Sequence, residues 1–432
     1  MMGDIIKPLE ASSEGLIESV KDNTSAEGMI FFHADEGKPL ATPWQVALSR
    51  AILLNKYKLP DGYILDCACG SGIQVAAYSA ITKKPVFGIE LNPQRARASA
   101  VNFNNIFIQR GEKNLESLAK SIFLAGDGRD GNSAIDILSS FTGNSEEKIA
   151  LLHLDPARPR NSRSHSLDEM QPKLGEIFDG WKEHLGTTER GPAILLDLSP
   201  RLSHQQKLEV EVLVEQFWPS IAKTWTWTSR GKGRVDRLAL WLGSIAELNC
   251  NRRFIRISPD LKQEPFIFQG GKPLSEGPEV PVKVKRMPKR GEYVTILDSA
   301  FVECGLAQYW LEDTVGLTDF HWIQSEGRRP QIHHSKKLYV DNEEYAKIII
   351  QTSGRIVEIF HQELNLATVD DFVEQAVIND ISKITIRSPL DPSLQPKIQG
   401  SFDRQLSRRS GKREGFLLQH PDSEMTLLCV SE

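Results

Sequence analysis

No stretch constrains the chain more than Tyr63-Ile-Leu-Asp-Cys-Ala-Cys-Gly-Ser-Gly72. Tyr63 to Leu65 have the composition of a short buried strand, and Asp66 closes it. Cys67 to Gly72 read as a tight glycine-bearing turn, and Ile73 to Ile81 as the helix that follows. A strand feeding a small-residue turn and then a helix brings bare backbone against a nucleotide-like ligand. Gly70 and Gly72 matter because a Cβ there would hold the ligand off. A second apolar strand, Pro85 to Ile89, ends at Glu90, about twenty residues on, where a carboxylate suits ribose hydroxyls.

The ligand follows from what the turn lacks. A dinucleotide site uses Gly-x-Gly-x-x-Gly, with pyrophosphate resting on the helix N-terminus. After Gly70-Ser-Gly72 come Ile73, Gln74 and Val75, so the third glycine is missing, and Asp66 lies close to where a phosphate would sit. That carboxylate disfavours an anion and favours a cationic or zwitterionic head. S-adenosylmethionine, a sulfonium beside an amino acid, has such a head. Glu90 would take its ribose hydroxyls, and Asp127, after a third strand over Ile122 to Ala125, its adenine amine. The expected cofactor-binding set is Asp66, Cys67, Ala68, Gly70, Gly72, Glu90 and Asp127.

Residues 60–245 alternate strand and helix around this turn. A helix runs from Ala41-Thr-Pro-Trp44 to Leu54, with Thr42 as its expected cap; Trp44 faces the core or, with Thr42, lines the cofactor mouth. Ile149 to Leu154 is a near-continuous apolar run, as expected of a central parallel strand. Ala193 to Leu196 is a fifth strand ending at Asp197, read as a structural turn, and His204 to Phe217 a long amphipathic helix. Thr224–Ser229 and Val235–Leu242, joined by Gly231-Lys-Gly233, read as a hairpin. The fold class is α/β, a parallel sheet with an antiparallel strand at one edge, followed by a smaller α+β region. The expected divisions are a polar, partly helical extension over 1–40, the α/β domain over 41–250, a Pro/Gly-rich linker over 251–292 and the α+β region over 293–432.

Asp66-Cys-Ala-Cys-Gly-Ser-Gly72, Gly88-Ile-Glu90, Gly126-Asp127 and Asp155-Pro-Ala-Arg158 together resemble the class I S-adenosylmethionine-dependent methyltransferases, over roughly residues 40–245. The Leu154-Asp-Pro-Ala-Arg158 run and the hairpin ending Ala239-Leu-Trp-Leu-Gly243 are similar to a group with a small ferredoxin-like domain and then a THUMP-like C-terminal domain. The resemblance implies a seven-strand Rossmann-like sheet, S-adenosylmethionine as cofactor and, through the THUMP-like region, RNA as partner, with tRNA favoured.

Asp155 follows the fourth strand, where the methyl acceptor sits in this superfamily, and Asp155-Pro156 is similar to the Asp/Asn-Pro-Pro-aromatic motif of exocyclic-amine methylating enzymes. An amine conjugated to a base ring is a poor nucleophile. A carboxylate and a backbone carbonyl accepting its hydrogen bonds push its lone pair outward. Pro156 would fix the direction of those acceptors. The motif's aromatic is missing, because Ala157-Arg158-Pro159 follows; Arg158 would stack on the base or bind phosphate. The expected catalytic set is therefore Asp155, Pro156 and Arg158. Methylation of a small molecule or protein is one alternative, and a non-catalytic RNA-binding protein another.

Net charge is −5 over 432 residues, so a nucleic-acid role has to rest on local basic stretches. Three occur late in the chain: Lys283 to Arg290, Arg328 to Lys337 and Arg404 to Arg413. The five cysteines are scattered without zinc-ligand spacing, which points to no metal and to free thiols in a reducing cytoplasm. No apolar run reaches membrane-spanning length, and no secretory signal is visible.

Overall fold

Apolar periodicity sets the first half of the chain into strands that alternate with helices. A computed structural model describes residues 3–19, 29–34, 42–111, 115–157, 167–231, 233–260, 263–276, 280–340 and 347–432. The chain divides into two units, Met1–Arg230 with Val235–Gly277, and Gly231–Arg234 with Pro278–Glu432.

The first unit opens with β1 (Ile5–Ile6), then β2 (Ile17–Ser19) and β3 (Phe31–His33), which form a two-stranded sheet of their own. It continues with β4 (Tyr63–Asp66), β5 (Val86–Glu90), β6 (Ile122–Ala125) and β7 (Ile149–Leu154). It closes with β8 (Thr187–Thr188), β9 (Gly191–Leu198), β10 (Lys223–Ser229), β11 (Arg237–Gly243), β12 (Arg252–Arg256) and β13 (Phe266–Gly270). Its helices include α1 (Trp44–Leu54), α2 (Ile73–Thr82), α3 (Pro93–Gln109), α4 (Leu115–Lys120), α5 (Gly131–Thr142), α6 (Leu174–Trp181) and α7 (His204–Phe217). Local chemistry explains their starts. Asn92 caps α3 by accepting from the Gln94 and Arg95 N–H groups, and Ser203 with Gln206 forms a capping box on α7.

The main sheet runs β1-β6-β5-β4-β7-β9-β11-β10-β12-β13, with β8 beside β9. β6, β5, β4, β7 and β9 are parallel to one another. Every residue of β4, β5 and β7 is buried, as parallel strands covered on both faces require. Strand order reverses between β4 and β7, because β4 leads through β5 to one side while β7 and β9 lie on the other. A crevice opens at such a switch point, beyond the C-terminal ends of the strands.

Four sequence expectations are corrected. Among the described residues the main sheet contains eleven strands, where seven were expected. β11 does not stand at the edge: it lies between β9 and β10, antiparallel to both. The 251–292 stretch is not simply a linker, because β12 pairs parallel with β10 and β13 pairs with β12. Its arginines hid the strand. Arg253 is 1 % exposed, donates to the Tyr57 hydroxyl at 2.6 Å and lies 4.4 Å over the Trp241 ring, so a charged residue serves as core. Finally, Thr42 does not cap α1. Pro43 holds the N-cap position, and the Thr42 hydroxyl accepts instead from Arg237 Nη2 at 2.8 Å. Trp44 packs against Phe31 in the core.

The second unit contains β14 (Tyr293–Leu297), β15 (Phe320–Gln324), β16 (Gln331–His334), β17 (Ile350–Phe360), β18 (Ile381–Ile386), β19 (Arg413–Gln419) and β20 (Thr426–Ser431). They form one sheet in the order β15-β16-β14-β17-β20-β19-β18. Helices Val369–Ile378 and Gln395–Leu406 supply Phe372, Ala376, Ile398 and Phe402 to a core with Ile381, Ile384 and Leu428. Among the described residues of the chain, no helix is long and apolar enough to cross a membrane.

Candidate active site

The turn after β4 is tied to its neighbours by backbone. Gly70 and Gly72 sit at φ +55° and +70°, a region glycine enters at no steric cost. A Cβ on Gly72 would lie 2.9 Å from the Ser99 Cα, because the turn is clamped onto α3. The Ser99 hydroxyl donates to the Gly70 carbonyl at 2.7 Å, and Asn102 Nδ2 to the Ser71 carbonyl at 2.8 Å. Gly70 is different: a Cβ there would meet nothing nearer than the Ala68 carbonyl oxygen at 3.9 Å. Its backbone faces open space.

Glu90 ends β5 beside this turn. Its Oε2 accepts from the Gly70 N–H at 3.1 Å and its Oε1 from the Asn92 N–H at 3.0 Å. The carboxylate is thereby fixed in direction, and each oxygen retains a lone pair for a further donor.

Asp66 is placed differently from its expected role at a ligand. It is 2 % exposed, its Oδ1 accepts from the Ala68 N–H at 3.0 Å, and its Oδ2 lies 2.8 Å from His153 Nδ1. From there a polar chain runs under the crevice. His153 Nε2 lies 3.4 Å from Asp197 Oδ2, and Arg50 Nη1 donates to that same oxygen at 2.5 Å. Arg50 Nη1 also donates to Gln74 Oε1 at 3.0 Å, and the Tyr78 hydroxyl donates to Gln74 Oε1 at 3.1 Å. With its oxygen so occupied, the Gln74 amide turns Nε2 outward and donates to Asp155 Oδ2 at 3.1 Å. β4, β7, β9, α1, α2 and the segment after β7 each contribute to this chain.

Charge alternates along it. Burial alone would lower the His153 pKa, but Tyr78, Asp66 and Asp197 hold it well above its ordinary value, which favours the imidazolium. Burial would raise the Asp197 pKa, yet Arg50 and His153 bring it well below the carboxylate range. At Asp155, burial and then the Asp197 charge push the carboxyl up, with Arg237 and His153 opposing. A carboxylate with a raised pKa, held by a neutral amide donor and partly exposed at the crevice, is a better proton acceptor than a free aspartate.

Pro156 is buried directly after Asp155. Ala157 and Gln171 then exchange both backbone hydrogen bonds, at 2.9 and 3.0 Å, which closes the base of the loop between them. Arg158 lies outside the described residues. Cys67 and Cys69 are buried, and burial followed by the Asp66 charge pushes both thiols well up, away from nucleophilic behaviour. Ala68 contributes the N–H that Asp66 accepts. Asp127 follows β6 but is engaged: Arg129 Nε donates to its Oδ1 at 2.9 Å and Nη2 to its Oδ2 at 2.5 Å, which lowers its pKa. Trp225 and Trp227 are core, at 1 % and 0 % exposure. Among the described residues, no cluster of His, Cys, Asp and Glu has the makings of a metal site.

Arg50, Gln74 and His153 went unremarked in the sequence. His153 sits within the apolar run Ile149–Leu154, and a polar residue inside an otherwise apolar central strand is the one signal that was available.

No protein-family model matches the chain, and no curated protein sequence does. Among solved structures, a proposed methyltransferase from Porphyromonas gingivalis W83 is similar at TM-score 0.50 and 14% identity, over 91% of this chain and 81% of that one. A 16S rRNA N2 G1207 methyltransferase from T. thermophilus, in complex with AdoMet and guanosine, matches at TM-score 0.32 and 14% identity, over 50% of this chain and 47% of that one. An rRNA methylase from Streptococcus thermophilus matches at TM-score 0.28 and 12% identity, over 45% of this chain and 93% of that one. The first likeness is one of fold, a mixed α/β architecture on a large sheet with a parallel centre; the other two are too distant to carry an argument.

Proposed function

We propose that this chain is a class I S-adenosylmethionine-dependent methyltransferase that modifies an exocyclic amine of a nucleobase in RNA, with tRNA favoured. The observation that carries the reading is the junction of Gly70 and Glu90 at the switch point. The backbone of Gly70 faces open space, and the Glu90 carboxylate beside it is oriented by two N–H groups with lone pairs to spare. Those features suit a nucleoside whose ribose diol meets Glu90. When bound, S-adenosylmethionine supplies a methyl group on a sulfonium, which needs no further activation.

The rest of the site handles the acceptor. Asp155, pushed up in pKa and steadied by Gln74, accepts a hydrogen bond and then the proton of an amine. The buried Pro156 keeps that acceptor from turning away. Positioning supplies most of the rate. In sequence, Arg158 and the cations that follow it are residue types suited to the phosphates of a polynucleotide. Asp127 takes the adenine amine once Arg129, half exposed, swings aside. The late part of the chain, THUMP-like by resemblance, is the docking module.

Two measurements test this. Calorimetric titration should show S-adenosylmethionine binding, and its absence sinks the methyltransferase reading. Radiolabelled methyl transfer into total RNA against total protein should label RNA. Asp155→Ala should keep cofactor binding and lose transfer by about 10²–10⁴-fold. Label in protein alone overturns the RNA acceptor.

A further inference from the structure

The second unit brings Arg387 to the adjacent pair Arg328 and Arg329, from which the sequence keeps it apart. Arg328 and Arg329 precede β16, next to one edge of the sheet, while Arg387 follows β18, the strand at the other edge. Arg329 Nη1 donates to the Arg387 carbonyl, so the Arg329 side chain reaches the segment that follows β18. The site is held by backbone: the Leu297 N–H donates to the Pro330 carbonyl at 3.0 Å, and the Arg387 N–H to the Leu417 carbonyl at 2.7 Å. Arg387 Nε is buried and has no hydrogen-bond partner. Among the described residues, no carboxylate pairs with any of the three. Burial, and then the charges of Arg387 and Arg328, depress the Arg329 pKa, with no acid to offset them.

Several other late cations are paired instead. Lys283 pairs with Asp422, Arg286 with Glu292, Arg290 with Glu358 and Lys337 with Glu432. Guanidinium does not shed its proton, so setting the half-buried Arg329 and Arg387, one with a buried orphan donor, beside the exposed Arg328 without a counter-charge favours an anion that completes the group. The planar forks of arginine match the oxygens of phosphate in geometry as well as charge.

We propose that Arg328, Arg329 and Arg387 form a phosphate-binding subsite in the second unit. It takes a phosphate group, either of an RNA backbone or of a small phosphorylated ligand, and it stands independently of methyl transfer.

The test uses the full chain and two probes. With inorganic phosphate at constant ionic strength, the wild-type melting temperature should rise, and Arg387→Gln and Arg329→Gln should abolish the rise. With unfractionated tRNA, the same variants should bind about tenfold more weakly, with a salt slope shallower by about one. Lys283→Gln, whose ammonium is already paired, should change neither. Loss of the phosphate response with unchanged tRNA binding supports the subsite and assigns it to a small ligand. A wild type that ignores phosphate, or variants that respond to both probes as the wild type does, overturns it. Arg387→Lys keeps the charge and removes the fork, and carries the test if the glutamine variants fail to fold. None of these readouts depends on methyl transfer, so failure of the enzymatic reading leaves them interpretable.

Discussion

At the residue scale, one imidazole bridges two buried carboxylates. His153 is fully buried, with Asp66 on one nitrogen and Asp197 on the other. Its folded pKa is raised above the unfolded value of about 6.5, so its stabilising contribution is complete below that pH and is lost as pH rises through the folded value. Nitrogen NMR should find both ring nitrogens protonated at neutral pH and beyond; a neutral ring at pH 7.5 would contradict the charge alternation. His153→Ala leaves Asp66 buried without a cation, with Arg50 as the remaining partner of Asp197, and should cost about 3–5 kcal/mol in urea unfolding. None of this chain of contacts was legible in the sequence. Asp66 was visible as a strand-ending acid, but whether it meets a ligand or an imidazole depends on β7 lying beside β4, which is a fact of register. Gln74 was not singled out either, since it is Val75 that stands where the third glycine is absent.

At the element scale, the turn after β4 contains two glycines with different reasons to be glycine. Gly72→Ala would place a Cβ against the Ser99 backbone at a positive φ, so it should lower stability by about 1–3 kcal/mol and shift the melting temperature accordingly. Gly70→Ala has room; it should cost about 1–2 kcal/mol for its backbone conformation and fold. Its effect should fall on cofactor affinity measured by calorimetry. A Gly70→Ala protein that binds S-adenosylmethionine normally would remove this backbone from the proposed cofactor cradle. Elements with strong local signals were legible. α7 runs His204–Phe217 as periodicity predicts, because Ser203 and Gln206 fix its start. β12 and β13 were missed, because Arg252-Arg-Phe-Ile-Arg256 looks solvated until Tyr57 and Trp241 are seen to take up Arg253.

At the scale of the whole molecule, acid sensitivity comes from a second buried histidine whose surroundings are opposite to those of His153. In the second unit, His333 is buried with neither ring nitrogen hydrogen-bonded. Burial, and then His420, Arg286, His334 and His321, pull its pKa down to about 3. Here the linkage runs opposite to that of His153. The folded form resists protonation while the unfolded form accepts it below about 6.5, so stability falls as pH drops from there towards 3. At pH 5 the loss should be about 2 kcal/mol. Scanning calorimetry should show a transition that moves to lower temperature between pH 7 and pH 5, and His333→Phe should flatten that dependence. An unchanged profile in the variant would show that another group governs acid sensitivity.

The paired hydrogen bonds between Ala157 and Gln171 have an evolutionary consequence. A loop whose two ends are fastened to each other transmits little of its own length or composition to what lies before it. Asp155 and Pro156 stand upstream of that fastening, while the arginine-bearing residues lie inside it. Selection can therefore rewrite the inner segment, by substitution or insertion, without disturbing the Asp155 carboxylate. On the proposed reading of Asp155, a lineage carrying this scaffold could alter the short segment between residues 157 and 171 and keep the carboxylate that precedes it.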